Sequence, residues 1–143
     1  MIDLTRLKDI REDKDISQSD IANILGVKRS TYSLWELGIN IIPLNYLIKY
    51  ASYFNYTIDY VLGLSTYRGK SKYKLDLDLV KLGNNLKQLR IDNNYKQKDI
   101  ADMLGVSQAC IAKYEKASIM ITVPNLYKIS KLYNKNIEDI CFK

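Results

Sequence analysis

The chain has 143 residues, of which 47% are hydrophobic and 27% are charged, and its formal net charge is +6. It contains no histidine and only two cysteines, Cys110 and Cys141, so the commonest general base is missing and the thiols are too few for a metal cluster or a disulfide framework. Because it lacks a signal-peptide pattern, an apolar run of roughly 18 residues, a nucleophile motif and a phosphate-binding glycine loop, we expect a cytoplasmic, non-enzymatic protein without metal, cofactor or membrane contact.

The first predicted helix runs from a capping residue at Asp3 to about Asp13. Its inner face carries three apolar residues at helical spacing, Leu4, Leu7 and Ile10. A second helix is predicted to begin after Ser17, because Ser17 and Asp20 form the pattern of a capping box, with Asp in place of the usual Glu.

The second helix and the turn after it occur twice in the chain. The ten residues from Gln18 to Val27 return as Gln97 to Val106, with seven identities at a constant offset of 79. In the first copy three apolar residues fall on one helical face, Ile21, Ile24 and Leu25. Gly26 follows them, where a helix ends in a left-handed residue that glycine adopts at no steric cost. The pattern predicts two short helices joined by a sharp turn, a helix-turn-helix.

The third helix is predicted to span about Arg29 to Leu37 and to end at Gly38. Tyr32 and Trp35 should face the core. The outer surface should carry five residues, Lys28, Arg29, Ser30, Ser33 and Leu34.

Pro43 is predicted in the first turn of helix four, where no backbone donor is needed, and Thr57 is predicted to cap helix five. Helix four directs four residues inward, Leu44, Leu47, Ala51 and Phe54. Tyr46, Tyr53 and Tyr60 recur every seven residues and would share one face if the helices kept one phase. This stripe is either the edge of the core or a docking surface for self-association or a partner protein, because exposed aromatics favour interfaces.

A basic segment, residues 66–77, is predicted to link the two copies, because it lacks apolar periodicity and contains Gly69. It carries four alternating cations, Arg68, Lys70, Lys72 and Lys74. Fully extended, the ten residues from Ser65 to Lys74 span at most roughly 33–36 Å, close to the roughly 34 Å between successive major-groove faces on one side of a duplex. The cations therefore either follow phosphates or only keep the linker extended.

In the second copy, the first helix is predicted to be capped by Asp76 or Asp78 and the third by Ser107. Pro124 is predicted to open the fourth helix, and Asn136 to cap the fifth. Lys96 stands where helix two prefers a small polar cap, and Ala117 stands where the first copy has Gly38, so helix three could end differently there. The outward positions of this third helix are Ser107, Gln108, Ala109, Ala112 and Lys113. Cys110 and Ile111 should turn toward or along the core.

Positive charge is concentrated in the linker and the second copy. The net charge is −1 for residues 1–65, +3 for residues 66–81 and +4 for residues 82–143. Such a distribution fits contact with a polyanion, although a basic surface that only aids solubility has the same composition.

Both copies, residues 4–64 and 82–143, resemble the Cro/repressor-type helix-turn-helix family of phage and bacterial DNA-binding regulators. The repeated stretch carries the resemblance, together with residues 82–90, which are similar to the first helix of the family, and residues 44–63, which are similar to the fourth and fifth. The resemblance implies an all-α fold of two tandem five-helix, lambda-repressor-like DNA-binding domains. We place these domains at residues 1–65 and 78–143, on either side of the linker 66–77.

By this resemblance, the third helix of each copy is the recognition helix, whose first turn enters the major groove of double-stranded DNA. The predicted DNA-binding residues are Gln18, Lys28, Arg29, Ser30, Ser33, Gln97, Lys98, Ser107, Gln108, Ala109, Ala112 and Lys113. Arg29 can donate two hydrogen bonds to guanine, and Gln108 can pair with adenine. The family uses the glutamine that begins helix two, here Gln18 or Gln97, to reach a phosphate and to brace the recognition helix.

The family pattern also implies a partly buried ion pair between helices one and three, Arg11 with Glu36 and Arg90 with Glu115. Leu34 departs from the polar or basic residue that is usual at its position. It either contacts a thymine methyl or marks a copy that has another use. We therefore expect a sequence-specific transcriptional regulator that represses by occluding a promoter. The alternative is a protein-interaction module, an antitoxin or anti-repressor that retains the fold.

Overall fold

The computed structural model describes residues 2–143, and within them every helix or strand assigned is an α-helix. The chain divides into two units, the first ending at Leu75 and the second beginning at Asp76, and each unit holds five helices. The prediction of an all-α protein built from a tandem repeat is therefore confirmed. The predicted linker, residues 66–77, contains no helix and spans the division.

The helices of the first unit are α1 (Thr5–Asp13), α2 (Gln18–Leu25), α3 (Arg29–Glu36), α4 (Leu44–Phe54) and α5 (Ile58–Val61). Their core includes the residues that the periodicity placed inside, among them Leu7, Ile10, Ile21, Tyr32, Trp35, Leu47 and Phe54. Ile24 is an exception. It is 40% exposed, because it lies at the edge of the α2 face on which Ile21 and Leu25 are buried.

Local signals at the helix ends explain most of these boundaries. The Ser17 hydroxyl accepts a hydrogen bond from the Asp20 backbone N–H at 3.0 Å, and Thr57 caps α5 in the same way. Pro43 lies one position earlier than predicted. It precedes α4 as the capping residue, and its carbonyl accepts the Leu47 N–H at 3.0 Å. Asp3 accepts the Thr5 N–H, although the residue directly before α1 is Leu4.

The three spaced tyrosines do not form one face. Helix α4 ends at Phe54, and Asn55 adopts a left-handed backbone with φ +60°, so the seven-residue phase is lost before Tyr60. Tyr46 packs on Trp35 with ring centroids 5.5 Å apart, and Tyr60 is buried beneath the Arg6 guanidinium. Since Tyr53 alone of the three is exposed, the predicted docking surface is not assembled.

The helices of the second unit are α6 (Leu79–Asp92), α7 (Gln97–Leu104), α8 (Gln108–Glu115), α9 (Val123–Tyr133) and α10 (Ile137–Phe142). Asp78 and Ser107 cap α6 and α8 through their side chains, as predicted, and Pro124 lies in the first turn of α9. Asn136 occupies the cap position of α10 but makes no side-chain cap hydrogen bond. At Lys96 the weak cap is partly offset, because its backbone N–H donates to the Asp99 carboxylate at 2.8 Å.

The two third helices end alike in spite of their different sequences. Gly38 and Ala117 both adopt a left-handed backbone, with φ +73° and φ +60°. The expected difference at Ala117 is therefore absent. Ala117 adopts a left-handed conformation that is unfavourable for alanine.

Helix α6 crosses the end of α8 at very short range. A Cβ atom on Gly83 would lie 2.6 Å from the Glu115 carbonyl oxygen and 2.8 Å from that of Tyr114. Only glycine allows this crossing at the observed distance.

None of the helices in residues 2–143 has the length and apolarity needed to cross a membrane.

Candidate nucleic-acid interface

A buried ion pair joins α1 to the end of α3 in the first unit. The Arg11 guanidinium donates to both Glu36 carboxylate oxygens, from Nε at 2.7 Å and from Nη2 at 3.0 Å. Its third donor, Nη1, bonds the Ile16 carbonyl at 2.9 Å, which ties the loop between α1 and α2 to the same cation. The predicted pair is confirmed, and its two parallel hydrogen bonds fix the orientation of both side chains.

The electrostatics of this pair favour the ionised carboxylate. Burial alone would raise the pKa of Glu36, but the hydrogen bonds from Arg11 and Gln18 and the positive charge of Arg11 outweigh it and hold that pKa below its usual value. The hydrogen bond to Glu36 raises the pKa of Arg11 in turn. The pair is therefore charged at neutral pH.

Gln18 completes the contact between the second and third helices. Its Nε2 donates to Glu36 Oε1 at 3.1 Å, so one carboxylate receives the side chains of both α1 and α2. This is the bracing role that the resemblance implied for the glutamine. We call the set Arg11, Glu36 and Gln18 the brace of the first unit.

The second unit repeats each of these contacts 79 residues later. Arg90 donates to Glu115 at 2.7 and 3.0 Å and to the Tyr95 carbonyl at 3.1 Å. Gln97 Nε2 donates to Glu115 Oε1 at 3.2 Å. Arg90, Glu115 and Gln97 are the brace of the second unit. Each brace fixes the C-terminal end of a third helix and leaves the first turn of that helix uninvolved.

In the first unit, the exposed start of α3 carries three of the predicted residues, Lys28, Arg29 and Ser30. Ser33 and Leu34 are half-buried one turn later, while Tyr32 and Trp35 lie in the core. Gln18 is half-buried because its amide is engaged in the brace.

In the second unit, the exposed predicted residues are Lys98, Ser107, Gln108, Ala109 and Lys113, and Ala112 and Gln97 are half-buried. The Ser107 hydroxyl accepts a hydrogen bond from the Cys110 N–H at 3.1 Å and so caps α8. Ile111 is buried and Cys110 is half-buried, as the periodicity indicated. The predicted residues of this unit thus lie at the start of α7 and along α8, from its cap at Ser107 to Lys113 in its last turn.

The sequence pattern did not identify two lysines beside the second brace. A groove of about 310 Å³ is lined by Lys87 and Lys116 together with Gln97 and Glu115. It forms where α6, α7 and the end of α8 meet, so neither lysine stands out from periodicity within one helix. The replacement of Leu37 in the first copy by Lys116 in the second was the available signal.

The loop after α3 differs in polarity from the loop after α8. Leu37 and Ile39 are each 67% exposed, and at the equivalent positions the second unit has Lys116 and Ser118. The first unit therefore displays apolar surface where the second displays a cation and a hydroxyl.

Two five-helix units, each with a braced third helix whose first turn is exposed, define a tandem helix-turn-helix protein. The family model described as helix-turn-helix matches residues 7–61 and again residues 86–140. The chain therefore belongs to the Cro/C1-type helix-turn-helix family, which supports a role in DNA binding and regulation of transcription.

One solved structure that is similar to this chain is the restriction-modification controller protein C.AhdI from Aeromonas hydrophila. It is 22% identical, the match covers 44% of this chain and 96% of that protein, and the TM-score is 0.42. No curated protein matches the sequence.

Proposed function

We propose that this protein binds double-stranded DNA at specific sequences in the cytoplasm and represses transcription by occluding promoters. The observation that carries the proposal is the exposed first turn of α3 and of α8, each on a helix whose far end is held by a brace. A recognition helix must present side chains to base edges in a fixed geometry. A helix held at one end and exposed at the other meets that requirement.

The second unit has the more favourable surface for DNA. Gln108 is exposed in the first turn of α8, where its amide can bond adenine N6 and N7, and Lys113 lies further along the same helix, within reach of a phosphate or a guanine. In this proposal Lys98 and Gln97 at the start of α7 supply the phosphate contacts, and Ser107, Ala109 and Ala112 complete the face. The net charge of +4 on residues 82–143 favours the same polyanion.

The first unit offers fewer polar contacts. Arg29 supplies the guanidinium for a bidentate contact with guanine. In this proposal Gln18 contacts a DNA phosphate. Lys28, Ser30 and Ser33 line the face of α3 that enters the major groove. Because Leu34 is half-buried and apolar, its contribution is limited to contact with a thymine methyl.

A second candidate function for the first unit is protein interaction, as in an antitoxin or anti-repressor. Two observations favour it, the net charge of −1 on residues 1–65 and the exposed side chains of Leu37 and Ile39. Exposed apolar side chains beside a face that carries few polar groups fit a protein partner better than a DNA duplex.

A salt titration of DNA binding tests the proposed function. Duplexes are first selected from a random pool with the 143-residue chain, and their affinity is then measured by fluorescence anisotropy as salt rises. The logarithm of the binding constant should fall linearly with the logarithm of salt, by about 0.9 for each phosphate contact. If no duplex is enriched and none binds nanomolar protein at about 50 mM salt, the DNA function is refuted.

Two variants separate the roles of the units. Gln108→Ala combined with Lys113→Ala should abolish binding if the second unit supplies most of the affinity, while Arg29→Ala should only relax sequence preference. Equal losses from both variants would show a symmetric contribution instead. For the regulatory step, a promoter that carries the selected site should give less transcript in vitro when the protein is added, and an increase would contradict repression.

A further inference from the structure

The segment between α5 and α6 presents a row of cations. Arg68, Lys70, Lys72 and Lys74 are all exposed, whereas Gly69, Ser71 and Tyr73 between them are half-buried. No acidic residue occurs between Asp59 and Asp76. We name these four cations the basic ridge.

The basic ridge belongs to the first unit and has a defined local structure. The first unit extends to Leu75. Ser65 Oγ accepts the Tyr67 N–H at 3.0 Å, and Ser71 Oγ accepts the Tyr73 N–H at 3.0 Å. The Tyr67 hydroxyl also donates to the Lys70 carbonyl at 3.2 Å.

The start of this segment is anchored to the helices. Arg6 on α1 donates through Nη1 to the Ser65 carbonyl at 2.7 Å and also to the Tyr60 carbonyl. The Arg6 guanidinium lies 4.2 Å from the centroid of the Tyr60 ring. The cations are thus displayed on turns that are already formed, which lowers the ordering cost of binding.

Three of the four ridge cations, Arg68, Lys70 and Lys74, take part in no ion pair within the described residues. The ion pairs that join Arg11 to Glu36 and Arg90 to Glu115 are internal. Lys72 Nζ lies over the Tyr73 ring at 5.4 Å from its centroid. Four exposed cations without an acid among them are complementary to a row of phosphates.

We propose that the basic ridge binds the phosphate backbone of the duplex, as a contact separate from both recognition helices. The ridge spans seven residues, from Arg68 to Lys74. The backbone steps between its ends cover at most roughly 20 Å when extended, which corresponds to about six base pairs at roughly 3.4 Å of rise each. Such a contact adds affinity without sequence information, because phosphates are the same at every base pair. The proposal rests on the DNA-binding function proposed above.

Charge neutralisation in the 143-residue chain tests the ridge. The test variant carries Arg68→Gln, Lys70→Gln, Lys72→Gln and Lys74→Gln. A matched control replaces four exposed lysines elsewhere by Gln, Lys14, Lys49, Lys131 and Lys135. Both variants have the same net charge, and circular dichroism verifies that both are folded. Salt titrations with a selected duplex then compare them with the wild-type chain.

If the ridge contacts four phosphates, the salt slope of the ridge variant should be smaller than that of the wild type by about 3 to 4. A fourfold rise in salt would then weaken the wild-type chain about 100-fold more than the variant. The affinity ratio between selected and unrelated duplexes should stay unchanged. The control should keep the wild-type slope.

Three outcomes overturn the proposal. A ridge variant that matches the control in slope and affinity shows that the ridge does not contact DNA, while the DNA function stands. A changed ratio between selected and unrelated duplexes shows that the segment acts on sequence readout instead. A wild-type chain that binds no selected duplex refutes the proposed function and, with it, the role of the ridge.

Discussion

Because α6 crosses the end of α8 at short range, we expect Gly83→Ala to destabilise the chain, although helix propensity alone would predict the opposite. Alanine in a helix interior is normally more stable than glycine by about 1 kcal/mol. At Gly83, however, the new methyl carbon would lie 2.6 and 2.8 Å from two carbonyl oxygens of α8. These are backbone atoms, so the overlap is relieved only by moving a helix.

The magnitude follows from these two opposed terms. Inserting a methyl group into a well-packed site costs roughly 1–3 kcal/mol, and at a contact with backbone we expect the upper part of that range. After subtraction of the propensity gain, Gly83→Ala should lower the free energy of unfolding by about 1–2 kcal/mol. Because Glu115 is one of the two residues contacted, the displaced helix is also the one that the second brace holds.

Hydrogen exchange followed by mass spectrometry resolves the effect by segment. Peptides from α6 and α8 should exchange faster in Gly83→Ala, and DNA affinity should fall because α8 shifts. Asn84→Ala is the matched control, since Asn84 is the exposed neighbour on the same helix and alanine there should stabilise the helix slightly. If Gly83→Ala slowed exchange in α6 as much as the control does, the proposed steric role of the crossing would be refuted.

Four further substitutions have outcomes that can be measured by chemical or thermal unfolding. Gly38→Ala should destabilise the chain by about 1 kcal/mol, since only backbone conformation opposes it, whereas Ala117→Gly should stabilise by about 0.5 kcal/mol. Changes of the same sign would contradict this. Tyr50→Phe should cost about 1 kcal/mol, because the buried hydroxyl donates to the Leu7 carbonyl, and no loss would show that this bond is not formed in solution. Glu36→Gln should destabilise most at neutral pH. The folded pKa of Glu36 is lowered, so its stabilisation is present above the unfolded pKa of about 4.3 and is lost as the pH falls through the folded value. If the difference in the free energy of unfolding between wild type and Glu36→Gln did not shrink in acid, this account of Glu36 would be refuted.

The fold could be predicted because its signals are local and occur twice. The capping pattern at Ser17, the glycine after α2 and the apolar spacing of Leu44 and Leu47 each depend on a few neighbouring residues, and each was correct. Predictions failed where they crossed a helix end. The seven-residue spacing of the tyrosines was counted through Asn55, where the left-handed backbone resets the phase.

The candidate site was predictable in part for the same reason. Periodicity on one helix separated buried Tyr32 from exposed Arg29, and the resemblance supplied the ion pairs. The groove beside Gln97 was missed, because Lys87 and Lys116 come together only through the packing of three helices. The close crossing at Gly83 has no counterpart in the first copy, where Leu4 stands, so the repeat gave no guide to it.

The two braces and the two outward faces have diverged to different extents, and this bears on the DNA that the chain selects. Arginine, glutamate and glutamine recur unchanged in the braces, because their hydrogen bonds fix the third helix in each unit. The outward positions are not held by packing, and all of them differ between the copies. Arg29 is matched by Gln108, and Leu34 by Lys113. Since guanidinium and amide groups prefer different bases, two units that both bind should select unlike half-sites. Selection from random duplexes should therefore yield an asymmetric sequence, and a palindrome would mean that the two units do not read DNA through these residues.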